Sequence, residues 1–115
     1  MQVKKYTEER PWGRFERFTQ NEPSTVKIIT IKPDEEFSLQ DHRKRGEFWH
    51  VISGRALVTV GDKQKEAEAD DEFFIPAKTL HRMKALDSEV KFLEIAFGDF
   101  DEADIERVED EYGRV

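Results

Sequence analysis

The sequence predicts an all-β domain, a sandwich or barrel of about eight short strands. Three observations carry this reading. β-Branched and aromatic residues gather in short runs. Those runs alternate apolar with polar side chains, the period of a half-buried strand. Gly, Pro and Asp punctuate them at intervals of roughly 8–12 residues, the spacing of strands joined by turns. With 115 residues the chain is expected to form a single domain over 1–115, large enough to bury one core.

Each element follows in order. TVKIITIK at 25–32 is β-branched and alternating, and Pro33 ends it. FSLQDH and EFWHVIS flank the polar, glycine-ended stretch 43–46 and read as a hairpin. RALVTVGDKQKEAEA supplies a strand, a turn at Gly61 and Asp62, and a second strand. DEFFIPA, LHRMKAL and EVKFLEIAFG add one short strand each. Residues 1–22 are expected to be irregular around Arg10-Pro11-Trp12-Gly13, with Pro11 and Trp12 plugging a sheet edge. In the tail DEADIERVEDEYGRV, Ile105, Val108 and Tyr112 fall at helical spacing behind Asp101, a suitable N-cap. One short C-terminal helix is therefore expected.

Composition narrows the function. The formal net charge of −7 argues against nucleic acid as the partner, because phosphate backbones are bound by basic surfaces. It leaves room for a small phosphorylated ligand in a locally basic pocket. No run approaches the roughly 18 apolar residues of a membrane span, and MQVKKYTEERPWG is too polar for a signal peptide. Zero cysteines exclude a disulfide framework and any thiolate metal site, and a cytoplasmic protein is expected.

The hairpin SLQDHRKRGEFWHVISG concentrates the chemistry. Period 2 puts Ser38, Gln40 and His42 on one face of the first strand. On the returning strand Glu47, Trp49 and Val51 share a face, while Phe48 and His50 take the other. If both active faces point into a barrel, Gln40, His42 and Glu47 meet near its mouth and His50 lies outside. His81, five residues after Pro76, can reach the same point from another strand. Together these groups offer two nitrogen and two oxygen donors with one negative charge, a set suited to Zn²⁺, Mn²⁺, Fe²⁺, Co²⁺ or Ni²⁺. The other reading is an ordinary hydrogen-bonded polar rim, and spacing alone leaves both open.

The same residues carry a family resemblance. Cupin motif 1, G(X)5HXH(X)3–4E(X)6G, is matched in spacing by Asp34, Gln40, His42, Glu47 and Gly54. Motif 2, G(X)5PXG(X)2H(X)3N, is matched by Asp70, Pro76, Lys78, His81 and Ala85. Asp34, Asp70, Lys78 and Ala85 replace the usual Gly and Asn. RPWGRF, TVKIITIKP, SLQDHRKRGEFW, ISGRALVTVGD, FFIPAKTLHR and IERVEDEYGR more narrowly resemble the type II mannose-6-phosphate isomerases. The same module ends the bifunctional mannose-1-phosphate guanylyltransferases. Gln40 stands where that family replaces the first cupin His, and Arg45 and Trp49 match its pattern. Phe48 stands where the family usually has His, and Ile28 where it often has Arg.

The resemblance implies a cupin fold (a double-stranded β-helix, or jelly-roll barrel) with a divalent metal held by Gln40, His42, Glu47 and His81. It implies interconversion of mannose 6-phosphate and fructose 6-phosphate through an enediol, with Arg45, Lys27 and Arg82 as candidate phosphate ligands. For each of these cations a surface salt bridge is the plainer role. No residue is assigned as catalytic base. The length leaves no room for a nucleotidyltransferase domain, so guanylyl transfer is not expected. The alternative function is a non-catalytic metal-containing cupin that binds a sugar or small acid. An iron-dependent dioxygenase fits less well, because Gln40 takes a place such sites give to a third His. A homodimer is expected, since an open sheet edge invites pairing.

Overall fold

The computed structural model describes residues 5–98, 100–110 and 112. Eleven strands run in chain order: β1 (Tyr6–Arg10), β2 (Gly13–Arg17), β3 (Ser24–Ile31), β4 (Leu39–Asp41), β5 (Glu47–Ser53), β6 (Ala56–Val60), β7 (Lys63–Ala67), β8 (Glu72–Ile75), β9 (His81–Ala85), β10 (Val90–Phe97) and β11 (Glu106–Glu109). A four-stranded sheet in the order β3-β10-β5-β8 packs against a five-stranded sheet in the order β11-β4-β9-β6-β7. All pairings are antiparallel.

Alternation decides what lies between the sheets. Trp49, Val51, Val90 and Phe92 from one sheet meet Ala56, Val58, Met83 and Ala85 from the other in one buried cluster. The odd-phase residues of the four-stranded sheet build a second, outer cluster of Phe48, Ile95 and Phe97, capped by Phe18. Apolar residues thus occupy both faces of β5 and β10, which is why EFWHVIS and VKFLEIAF are nearly continuous in hydrophobicity.

The turn positions preserve backbone geometry where the residue type has changed. Of the four places where the cupin motifs carry glycine, only Gly54 keeps it, yet Asp34, Gly54, Asp70 and Lys78 all have φ between 65° and 88°. Asp tolerates this left-handed region through local hydrogen bonding, whereas Lys is strained there by about 1 kcal/mol. At Gly54 a Cβ would lie 2.2 Å from the Glu89 carbonyl, so no side chain fits.

Two expectations are corrected at the termini. Residues 6–17 form a hairpin, with Trp12 at its tip and 73% exposed; among the described residues it covers no sheet edge. Its sheet is held by cross-strand aromatic–guanidinium contacts, Arg17 over the Tyr6 ring at 4.4 Å and Arg10 over Phe15 at 5.3 Å. Such a ribbon lacks the apolar alternation that marks a strand. The C-terminal helix does not form, and among the described residues there is no helix. Asp101 caps only a single turn, its carboxylate accepting from the Ala103 N–H at 3.0 Å and its carbonyl from the Asp104 N–H at 3.0 Å. The chain then pairs as β11 along β4, with Arg107 opposite Gln40 and Glu106 opposite Asp41. A helix this short is marginal in isolation, and an open sheet edge offers a full ladder instead. Residues 111 and 113–115 lie outside the described residues.

Candidate metal centre and its cavity

Three strands deliver the candidate ligands. His42 follows directly on β4, Glu47 opens β5, and His81 opens β9. His81 stands directly opposite Gln40 in the ladder between β9 and β4. His42, Glu47 and His81 are 3%, 2% and 1% exposed. One ligand atom from each lies within 4.8 Å of the others. His42 Nε2 is 3.4 Å from Glu47 Oε2, and His81 Nε2 is 3.7 Å from Glu47 Oε1.

Hydrogen bonds to carbonyls fix both imidazoles. His42 Nδ1 donates to the Asp104 carbonyl at 2.6 Å, and His81 Nδ1 donates to the Thr79 carbonyl at 2.9 Å. A carbonyl only accepts, so the proton of each neutral ring sits on Nδ1 and the Nε2 lone pair faces Glu47. Burial holds His81 below its ordinary pKa, against the opposing charge of Glu47, and so favours the neutral ring. His81 Nε2 is buried and has no hydrogen-bond partner. His42 Nε2 faces the Arg45 Nη2 donor at 3.4 Å, so the unpartnered His81 Nε2 beside the buried carboxylate is the group a cation would satisfy, and the donor set fits a first-row divalent ion. Gln40 is adjacent, but Ser38 Oγ donates to its Oε1, so its amide N–H₂ points at His42 Nε2, 3.5 Å away. Its oxygen can ligate only if the amide exchanges ends.

Cations and carboxylates ring the same cavity, whose volume is about 190 Å³. Arg45 is buried; its Nε donates to Glu47 Oε2 at 3.1 Å and its Nη1 to the Asp101 carbonyl at 3.1 Å. Lys27 reaches the mouth from β3 and pairs with Glu102 at 3.3 Å. The Phe100 ring sits 4.3 Å from each of these cationic groups. Residues 100–105 therefore strap across the opening. Asp104 anchors the strap, its carboxylate accepting from the Arg43 and Lys44 N–H groups at 2.9 Å each. Burial works against the charge of Asp104, but those two N–H bonds prevail and hold its pKa below the ordinary value.

Arg82 is elsewhere. One residue past His81, it takes the opposite face of β9 and donates to the Phe37 carbonyl at 3.1 Å and to Glu109 Oε1 at 3.0 Å. It staples β11 to the outside of the barrel, away from the cavity. His50 is also outside, as its alternation implies, bonded to Glu72 at 2.6 Å. Trp49 is buried in the barrel, its indole N–H donating to Glu47 Oε1 at 3.2 Å. Both departures from the family pattern point away from the centre. Phe48 joins the outer cluster, and Ile28 is 63% exposed on the outer face of β3.

Two groups in this region were not found from the sequence. Arg107 shares the inward face with Gln40, and its Nε is buried without a partner. Glu94 lines the cavity and is 8% exposed, opposite Lys27 on one side and Trp49 on the other. Burial first, and then the charge of Glu47, push its carboxyl up to about 7, against the pull of Lys27 and Arg45. Period 2 along EVKFLEIAFG sets Glu94 in phase with Val90, Phe92 and Ala96, and a charged residue in that apolar register was the available signal.

Comparison with known proteins places this arrangement. The chain is 38% identical over 105 residues to mannose-1-phosphate guanylyltransferase 2 of Escherichia coli O157:H7, covering 90% of this chain and 22% of that protein. It is 38% identical over 107 residues to the alginate biosynthesis protein AlgA of Pseudomonas aeruginosa, covering 91% and 22%. The chain thus spans about a fifth of the length of the curated relatives it matches. Among solved structures, oxalate decarboxylase from Bacillus subtilis superposes with a TM-score of 0.70 at 25% identity, over 76% of this chain and 24% of that one. A Bacillus halodurans protein gives 0.65 at 26% identity, over 68% and 64%. The barrel is a cupin, and residues 2–110 match the mannose-6-phosphate isomerase C-terminal family, to which this chain belongs.

Proposed function

We propose that this chain is a metal-dependent sugar-phosphate isomerase that interconverts mannose 6-phosphate and fructose 6-phosphate. The observation that carries this reading is the buried His42, Glu47 and His81 cluster, opening onto a cavity whose mouth holds Arg45 and Lys27. His42, Glu47 and His81 would hold the cation, with Gln40 as fourth ligand. The bound ion would supply Lewis acidity to the sugar's C1 and C2 oxygens, favouring the charge that develops there. Arg45 and Lys27 would take the phosphate, the guanidinium through paired donors and the ammonium as a point charge. Arg82, facing outward, has no part in it. Trp49 and the strap of residues 100–105 would hold the ligands and exclude water.

The net charge of −7 supports a small-molecule partner over nucleic acid. Among the described residues no helix is long and apolar enough to cross a membrane. We place the protein in the cytoplasm, on its lack of cysteine. A homodimer is proposed through the free edge of β3, which ends its sheet and exposes Val26 and Ile28. The direct test is a coupled assay for fructose 6-phosphate formation on protein loaded with Co²⁺ or Zn²⁺. Steady turnover of mannose 6-phosphate is expected. No turnover in a fully loaded sample would leave a non-catalytic metal-binding cupin.

A further inference from the structure

We propose that Glu94 is the general base that carries the proton between C2 and C1 of the sugar, an inference that rests on the isomerase reading above. Isomerisation needs a group near the cation that is not itself a ligand. Among the described residues lining the cavity, the carboxylates are Glu47, Glu94 and Glu102. Glu47 is occupied by His42, His81, Arg45 and Trp49. Glu102 sits at the rim and pairs with Lys27. Both histidines belong to the ligand cluster, with Nδ1 of each committed to a backbone carbonyl. Glu94 remains: it is buried in the inward register of β10, lines the cavity and is hydrogen-bonded to Glu47, yet it is not one of the three clustered ligands. A carboxyl in an otherwise apolar register is costly for the fold, so its presence calls for a role.

The step balances without a co-reactant. The Glu94 carboxylate takes the proton from C2 of the aldose as the C2–H bond breaks; that electron pair becomes the C1=C2 bond of the enediol, and the C1=O π pair moves onto O1. The same carboxyl then gives its proton to C1 as the double bond opens and C2=O forms. The hydroxyl proton on O2 passes to O1, so nothing is oxidised or reduced overall. Glu94 returns to its starting form.

The test compares wild type, Glu94→Gln and Glu94→Asp, each loaded with Co²⁺. Four quantities are measured: metal content by elemental analysis, binding of inorganic phosphate by calorimetry, kcat and KM, and deuterium wash-in at C2 of mannose 6-phosphate in D₂O. The Gln variant is expected to keep wild-type metal content and phosphate binding. Its kcat should fall at least about 100-fold with little change in KM, and wash-in should vanish. The Asp variant should recover part of both. A Gln variant with wild-type kcat would overturn the inference. So would one that loses metal in parallel with activity, since Glu94 would then be supporting the metal site. A wild type that neither turns over nor exchanges deuterium removes the isomerase reading and this inference with it.

Discussion

The chain's three histidines occupy two environments, and the contrast explains where function sits. His50, on the outer face of β5, faces Glu72 at 2.6 Å and Asp70 at 3.4 Å, and Phe18 packs on its ring. It has as many acceptors as it has nitrogens, and nothing further is needed to satisfy it. His42 and His81 lie inside, share the one carboxylate of Glu47, and spend their N–H groups on backbone carbonyls. The outer site is complete as protein alone. The inner one leaves the buried His81 Nε2 without a hydrogen-bond partner among the described residues.

Breaking each site separately gives the largest expected difference. His42→Ala or His81→Ala should weaken divalent-metal binding by more than about 100-fold, beyond what loss of an outer hydrogen-bond partner costs. His50→Ala should leave metal affinity unchanged and lower stability by about 1 kcal/mol or less, the scale of a partly exposed ion pair. Competition with a fluorescent chelator measures the first effect, and urea unfolding the second.

The turn that follows β5 tests whether both faces are held by one frame. Gly54→Ala forces a Cβ against the Glu89 carbonyl and should destabilise the fold by about 3 kcal/mol or more. Thermal unfolding monitored by circular dichroism would register it, and a melting temperature within a degree of wild type would refute the steric account.

Metal removal should expose the pH dependence of Glu94. Its folded pKa is raised to about 7 from an ordinary 4.5, so the folded state holds its proton more tightly than the unfolded state does. The stability this lends is full below the unfolded pKa and is lost as pH rises through the folded one. In metal-free protein, the stability of wild type relative to Glu94→Gln should therefore fall between about pH 4.5 and 7 and level off above. Chemical unfolding of both proteins across that range is the measurement, and a difference that does not vary with pH would contradict it.

The smallest effect concerns Lys78, next to the His42 carbonyl that its N–H binds at 2.7 Å. Restoring the motif residue by Lys78→Gly should stabilise the protein by up to about 1 kcal/mol, since φ there is 65°. Metal affinity should not change.

Much of this was readable before the structure. Alternation gave the strands from Ser24 to Phe97, and motif spacing brought His81 to the Gln40–His42–Glu47 hairpin across the 33 residues of chain between Glu47 and His81. What escaped was set by partners that a linear pattern does not contain. The β1–β2 ribbon is joined by Arg17 on Tyr6 and Arg10 on Phe15, contacts invisible to hydrophobic periodicity. The tail carried a helical spacing at Ile105 and Val108, but an empty edge at β4 decided its conformation. Arg82 matched a basic family position, yet its distance of one residue from the inward His81 already turned it outward. Glu94 was hidden by the apolar run around it, although period 2 placed it inside.

The central claim is that His42, Glu47 and His81 bind one divalent ion per chain. Elemental analysis of purified wild type, His42→Ala and His81→Ala after identical metal loading and dialysis tests it most directly. The expected result is a stoichiometric first-row metal in wild type and its loss in both variants. Equal metal content in all three proteins would contradict the claim.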